Sequence, residues 1–187
     1  MIPRSGTELI NPFKLLERVG IREGQKIADM GCGSLGHFVF PAAQLVGPKG
    51  MVFAVDIQRS ALEYIERRAK EGQFFNVHPV WSDMDVYRAT RIDEGSLDIT
   101  LLINNFYLSS NRSQMLREMA RLTRPQGWIV VVEWKPIASP LGPPVDHRID
   151  QEQVKREMRS PLIEYHDAFD VGMYHYGLIF SRTNELV

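Results

Sequence analysis

Residues 31–36, Gly-Cys-Gly-Ser-Leu-Gly, set three glycines at the spacing G-x-G-x-x-G. A short apolar run, Gln25 to Met30, precedes them, and a helical segment, His37 to Val46, follows. A strand that turns sharply into a helix needs positive φ, which glycine adopts without steric cost. The helix beyond presents unpaired N–H groups and the positive end of its dipole to whatever lies before it. This arrangement constrains the chain to an α/β fold with a ligand-accepting turn at the carboxyl end of its first strand. The bland alternative is a tight strand-to-helix turn with no ligand.

The rest of the chain fits that constraint. Met51 to Val55 reads as a second strand ending on Asp56, after the turn Gly47-Pro-Lys-Gly50. Ser60 to Glu71 has helical periodicity with Ser60 as N-cap. Asn76 to Val80 is a weak strand, Leu97 to Ile103 a strongly apolar one, Arg112 to Leu122 a helix, and Gly127 to Glu133 the most strand-like run. Alternating strands and helices predict a parallel sheet covered on both faces. Ahead of them, Asn11 to Val19 reads as an amphipathic helix with Asn11 as N-cap, Pro12 at its first position and Gly20 as its stop. After the Pro-rich stretch 135–144, a helix is predicted over Asp150 to Arg159. The strands Leu162 to Phe169 and Tyr174 to Arg182, joined through Gly172, leave no room for a crossover and should pair as an antiparallel hairpin. The expected organisation is one domain over 1–187: a helical segment at 1–22, a cofactor-binding core at 23–134, and an acceptor-side loop, helix and hairpin at 135–187.

Lys plus Arg number 22 against 23 Asp plus Glu, a net charge of -1, so no general pull toward nucleic acid or an acidic membrane is expected. The basic stretches Arg67-Arg68 with Lys70, and Lys155, Arg156 and Arg159, lack interleaved aromatics and read as solvated faces. The single cysteine, Cys32, excludes an intramolecular disulfide. No run approaches the ~20 apolar residues of a membrane span, and Met1 to Glu8 lacks the apolar stretch of a signal peptide. A cytoplasmic monomer or homodimer is expected. Metal-ligand spacings such as CxxC and HExxH are absent.

Three carboxylates narrow the ligand. Asp56 can accept from both hydroxyls of a ribose and suits either a dinucleotide or S-adenosyl-L-methionine. Asp29, just ahead of Gly31, would repel a pyrophosphate but suits an ammonium group. Asp83, after the third strand, can accept from an adenine amino group. A second domain to hold a hydride donor or acceptor is not expected in this chain. Together these favour S-adenosylmethionine.

The segments IADMGCGSLGHF (27–38), PAAQLVGPKGMVFAVDI (41–57), EWKP (133–136) and LGPPVDHRI (141–149) resemble class I S-adenosylmethionine-dependent methyltransferases. Among these, the chain is most similar to the group related to quinone-biosynthesis C-methyltransferases. The resemblance implies a Rossmann-like seven-stranded sheet of order 3-2-1-4-5-7-6 with strand 7 antiparallel. It implies that Asp29, Gly31, Cys32, Gly33, Ser34, Gly36 and His37 surround the methionine part of the cofactor. Asp56 would hold the ribose, and Ile57 would lie against the adenine, with Asp83 and Met84 at its edge. Gln58 is a further cofactor-binding candidate. Ser34-Leu35 and His37 depart from the residues common in the family but leave the glycines in place.

The methyl acceptor is less constrained. In-line displacement from a sulfonium needs orientation first, and a base only if the acceptor arrives protonated. Asn104-Asn105-Phe106-Tyr107, at the end of the fourth strand, is superficially similar to the Asn-Pro-Pro-Tyr motif of amino-group methyltransferases, without the prolines. Asn104 is a candidate for both cofactor and acceptor, and Asn105, Phe106 and Trp134 are candidates for the acceptor pocket. Tyr107 and His147 complete the catalytic candidates, with Arg148 able to hold an anionic acceptor. The bland readings are a shaped pocket floor at Asn104 and Phe106 and a solvated helix start at Asp146 to Arg148. His166 and His175 read as surface or hairpin residues, and Cys32 as a space filler. The expected function is methyl transfer to an unidentified small molecule. The alternatives are methylation of protein or RNA, a catalytically silent cofactor-binding subunit, and a nicotinamide-dependent oxidoreductase.

Overall fold

A computed structural model describes residues 9–184; the first eight residues of the expected N-terminal segment lie outside it. The helices are α1 (Pro12–Val19), α2 (Val39–Val46), α3 (Arg59–Glu71), α4 (Arg112–Leu122) and α5 (Gln151–Glu157). The strands are β1 (Lys26–Met30), β2 (Met51–Asp56), β3 (Val77–Trp81), β4 (Leu97–Ile103), β5 (Thr123–Trp134), β6 (Ile163–Val171) and β7 (His175–Arg182). They form one seven-stranded sheet in the order β3-β2-β1-β4-β5-β7-β6. Strands β1 to β5 pair in parallel, and β7 runs antiparallel to both β5 and β6. The expected topology and hairpin are what the structure shows.

Strand parity divides the core. Ile27, Val52, Ala54, Leu101, Val130 and Val132 face the cluster built with α1 and α2. Ala28, Met30, Val55, Leu102, Ile129 and Val131 face the cluster built with α4 and α5. Side chains alternate sides along a strand, so strands covered on both faces must read as continuous apolar runs, as LDITLLI does.

Local chemistry sets the element ends. Asn11 caps α1 by accepting from the Lys14 N–H at 3.1 Å, and Gly20 stops it at φ 81. The expected Ser60 cap is not used. The Asp56 carboxylate accepts from the Gln58 N–H at 2.9 Å, bends the chain two residues early, and α3 begins at Arg59. Strand β5 starts earlier than expected, at Thr123, through an irregularity opposite Leu97–Ile99 and a positive φ of 63 at Gln126.

One buried ion pair positions a cleft loop. Glu118 accepts from Arg121 Nε at 2.8 Å and Nη2 at 2.7 Å, and from the Arg88 and Thr90 N–H groups at 2.8 and 3.0 Å. Arg121 also donates to the Thr90 and Ile92 carbonyls. Burial opposes ionisation of Glu118, but the Arg121 and backbone hydrogen bonds outweigh it and hold its carboxyl below the usual range. The loop after β3 is thereby fixed to α4. No helix among the described residues is long and apolar enough to cross a membrane.

Candidate functional site

The chain runs β1, β2, β3 to one side and then crosses back to β4, so β1 and β4 flank the point where strand order reverses. Open α/β sheets place ligands beyond the carboxyl ends of strands at such a point. A cleft of about 790 Å³ lies there. The glycine loop lines it with Gly31, Cys32, Gly33, Ser34 and His37; β2 contributes Asp56, Ile57 and Gln58; the loop after β3 contributes Asp83, Met84 and Asp85. Its other end is lined by Asn104, Asn105, Tyr107, Leu108, Trp134, Gly142 and Pro143.

The three glycines have different reasons to be glycine. All take positive φ: 77 at Gly31, 62 at Gly33 and 56 at Gly36. A Cβ on Gly31 would fall 2.5 Å from the Asn105 amide, whose Nδ2 donates to the Ile103, Gly31 and Met30 carbonyls at 2.8, 3.0 and 3.3 Å. A Cβ on Gly36 would meet Ile65 of α3 at 2.5 Å, so this glycine serves helix packing and does not line the cleft. At Gly33 nothing lies within 4 Å of the place a Cβ would take, which leaves room for a ligand against its backbone.

Of the two expected carboxylates here, Asp56 lines the cleft and Asp29 does not. Asp56 accepts from the Gly33 N–H at 2.9 Å through one oxygen and from Gln58 through the other. Asp29 is buried, and its Oδ2 has no hydrogen-bond partner. Burial first, and the charge of Asp56 second, push Asp29 up to about 7. The same burial, with Asp29 and Asp56, pushes the Cys32 thiol up and keeps it protonated. Among the described residues no lysine or arginine lines the cleft. Such a site suits a ligand that is cationic at one end and carries a hydroxylated sugar, and disfavours a pyrophosphate. S-adenosylmethionine fits it.

Asp85, which the sequence pattern did not single out, latches the loop after β3 to the loop after β4. It accepts from the Ser109 and Ser110 hydroxyls at 2.6 and 2.9 Å and from the Ser110 and Asn111 N–H groups at 2.8 and 3.2 Å. Desolvation is outweighed by these donors, and its carboxyl titrates below its ordinary value.

At the other end of the cleft the residues expected around an acceptor separate. Tyr107 is half-buried and lines the cleft; burial, then Glu133, push its phenol up. Phe106 does not reach the cleft: it is fully buried in the core on the α4 side, and its N–H donates to Glu133 at 2.7 Å. Trp134 is only 2% exposed, with the His175 ring 4.2 Å away, the Arg148 guanidinium at 5.1 Å, and Gly142 laid against its ring. Arg148 is not free for an anion. Its guanidinium donates to the Pro143, Lys135, Ile137 and Leu141 carbonyls at 2.9, 3.2, 2.9 and 2.6 Å and staples the loop between β5 and α5. That fold leaves His147 exposed on a one-turn helix, Val145–His147, outside the cleft lining. His37 lines the cleft and its Nε2 donates to the Ile10 carbonyl at 2.8 Å.

His166 is exposed, as expected, but His175 is fully buried. A signal was present: Tyr176 to Phe180 is a continuous apolar run, the mark of a strand covered on both faces, and His175 begins that strand.

Residues 21–170 match the methyltransferase-domain family. A ubiquinone/menaquinone biosynthesis C-methyltransferase of Pasteurella multocida is 30% identical over 125 residues, 66% of this chain and 45% of that protein. A nocamycin O-methyltransferase of Saccharothrix syringae is 30% identical over 142 residues, 75% of this chain and 47% of that protein. The chain thus spans a little under half the length of these curated relatives. The crystal structure of a SAM-dependent methyltransferase from Aquifex aeolicus superposes with a TM-score of 0.87 at 24% identity, covering 97% of this chain and 94% of that one. With its sheet order, glycine loop and family match together, this chain belongs to the methyltransferase-domain family and is a class I, S-adenosylmethionine-dependent methyltransferase domain.

Proposed function

We propose that this domain transfers the methyl group of S-adenosylmethionine to a small molecule bound between Asn104, Tyr107 and the edge of Trp134. The observation that carries the reading is the two-ended cleft. One end joins an open glycine backbone at Gly33 to Asp56, with Asp29 buried and outside the lining; the other is walled by neutral and apolar groups. In this assignment Asp29 faces the ammonium, Asp56 the ribose hydroxyls, Ile57 the adenine face, and Asp83 with Met84 its edge. The cleft volume falls in the range of small-molecule sites. The two relatives also support a small acceptor, since their names concern quinone biosynthesis and nocamycin.

The cofactor supplies a methyl group on a sulfonium, already activated for displacement. The chain's part is to align an acceptor with it and to exclude water. Tyr107 and Trp134 form the wall on that side, and orientation of this kind can lower a barrier by roughly 7–11 kcal/mol at best. Among the described residues no ready base lines the acceptor end: His147 lies outside the cleft, and the Tyr107 phenol stays protonated near neutral pH. The acceptor atom must therefore be nucleophilic on arrival or release its proton to water.

Calorimetric titration with S-adenosylhomocysteine and with NAD tests the cofactor assignment: the first should bind and the second should not. Incubation of a cell extract with methyl-labelled cofactor then tests the acceptor. Label in the low-molecular-weight fraction is expected; label confined to protein or RNA would replace the small molecule by a macromolecule.

A further inference from the structure

His175 opens β7 directly opposite Trp134 of β5, with both rings covered. Its Nε2 lies 3.3 Å from the Asn104 Nδ2, and its Nδ1 is buried without a partner. Asn104 has φ 57, a left-handed conformation that most side chains resist and that asparagine tolerates when its amide is hydrogen-bonded. Asn104 lines the cleft, and its Oδ1 is buried without a hydrogen-bond partner. Its N–H is taken by the Val132 carbonyl at 2.8 Å; its own carbonyl accepts no hydrogen bond among the described residues. The next residue, Asn105, ties this turn to the Gly31 carbonyl, which sets it beside the glycine loop.

His175 is suited to hold the amide because it is uncharged. Burial, with Arg148 and Lys135 adding to it, pushes the imidazole down to about 4 and leaves a ring nitrogen lone pair to accept from Asn104. A protonated ring could not accept.

We propose that His175 is a positioning residue of the methyl-transfer site: by accepting from the Asn104 amide it holds the left-handed turn that leaves the Asn104 carbonyl open to the ammonium group of the cofactor. The proposal rests on the cofactor placement given above. It separates the two ends of the ligand, because methylthioadenosine carries the adenosine and sulfur but no ammonium.

The test is calorimetric affinity for S-adenosylhomocysteine and for methylthioadenosine in His175→Phe, Asn104→Gly and the double variant. Loss of one hydrogen bond to a charged group corresponds to roughly tenfold to a hundredfold. His175→Phe should lose that factor for S-adenosylhomocysteine and change methylthioadenosine by less than about twofold. Asn104→Gly should lose less S-adenosylhomocysteine affinity than His175→Phe, since glycine takes positive φ unaided. The double variant should match Asn104→Gly, and His175→Gln, which keeps an acceptor at that position, should recover most of the loss. Equal weakening of both ligands, an unchanged affinity in His175→Phe, or a double variant as weak as His175→Phe would each overturn the proposal. If His175→Phe does not fold, Asn104→Ala against Asn104→Gly decides: the alanine variant should lose more S-adenosylhomocysteine affinity than the glycine variant, and an equal loss in the two would overturn the proposal. Wild-type protein that binds neither nucleoside would overturn the cofactor placement itself, an outcome distinct from any of these.

Discussion

Replacing Asp56 by alanine removes a carboxylate with two separable duties. Each oxygen already accepts one backbone N–H, from Gly33 and from Gln58, at 2.9 Å. A carboxylate has about four lone-pair directions, so two remain for the vicinal hydroxyls of a ribose. Hydrogen bonds to a charged group contribute about 1.5–3 kcal/mol each, and water competes for the free hydroxyls, so the loss expected on Asp56→Ala is roughly 2–4 kcal/mol. That corresponds to about 30-fold to 1,000-fold in the dissociation constant of S-adenosylhomocysteine. Asp56→Asn retains one oxygen and should fall between. The assay is isothermal calorimetry, with a thermal melt to confirm folding. Methylthioadenosine provides the internal comparison: it has the same ribose, so Asp56→Ala must weaken it by a similar factor, in contrast to His175→Phe. A folded Asp56→Ala protein that binds S-adenosylhomocysteine within about twofold of wild type would remove Asp56 from the ribose site and refute the reasoning.

Three further outcomes are expected. Gly33→Val should stay folded but lose cofactor binding, whereas Gly31→Val should also melt earlier, because its side chain collides with Asn105; normal affinity in Gly33→Val would mean the ligand lies elsewhere. Asp29 is held up to about 7 without ligand, and a cation beside it favours the ionised form, so S-adenosylhomocysteine affinity should be constant above pH ~7 and fall as pH drops below it, by up to tenfold per pH unit. Asp29→Asn should flatten that profile in calorimetric titrations over pH 5.5 to 8.5, and an unaltered slope in the variant would assign the titration to another group. Glu118→Ala leaves the Arg121 cation buried without its partner and frees the Arg88 and Thr90 N–H groups, so it should destabilise the fold by roughly 3–5 kcal/mol in urea unfolding; a loss under about 1 kcal/mol would show that the pair does not fix the loop.

What could be read from the sequence follows from how regular the backbone is at each place. Leu97 to Ile103 and Arg112 to Leu122 carry unbroken apolar patterns, and their limits in the structure are those the pattern predicts. The glycine loop and Asp56 sit at the junction of regular elements, where spacing alone fixes the geometry, and both line the cleft. His147 and Arg148 lie in a loop whose shape is set by one guanidinium gathering four carbonyls scattered over 135–143, and no local pattern encodes that. The Asp85 latch joins two loops separated by the whole of β4, with only polar residues to announce it.

Asn104 shows where periodicity stops and why. Leu102 faces the α4 side of the sheet, and strict alternation would send Asn104 to the same side, beside Phe106. The positive φ at Asn104 ends that alternation and delivers its amide to His175, whose ring packs tilted against Trp134. Phe106 and Glu133 stay on the α4 side, where the carboxylate receives the Phe106 N–H and, mainly through burial, is pushed up to about 7. Two neighbouring residues of one motif, Asn104 and Phe106, are thus divided between a cleft wall and a core by a single backbone angle. Periodicity carries side-chain direction only while the strand continues, and ligands of open α/β sheets bind where the strands end.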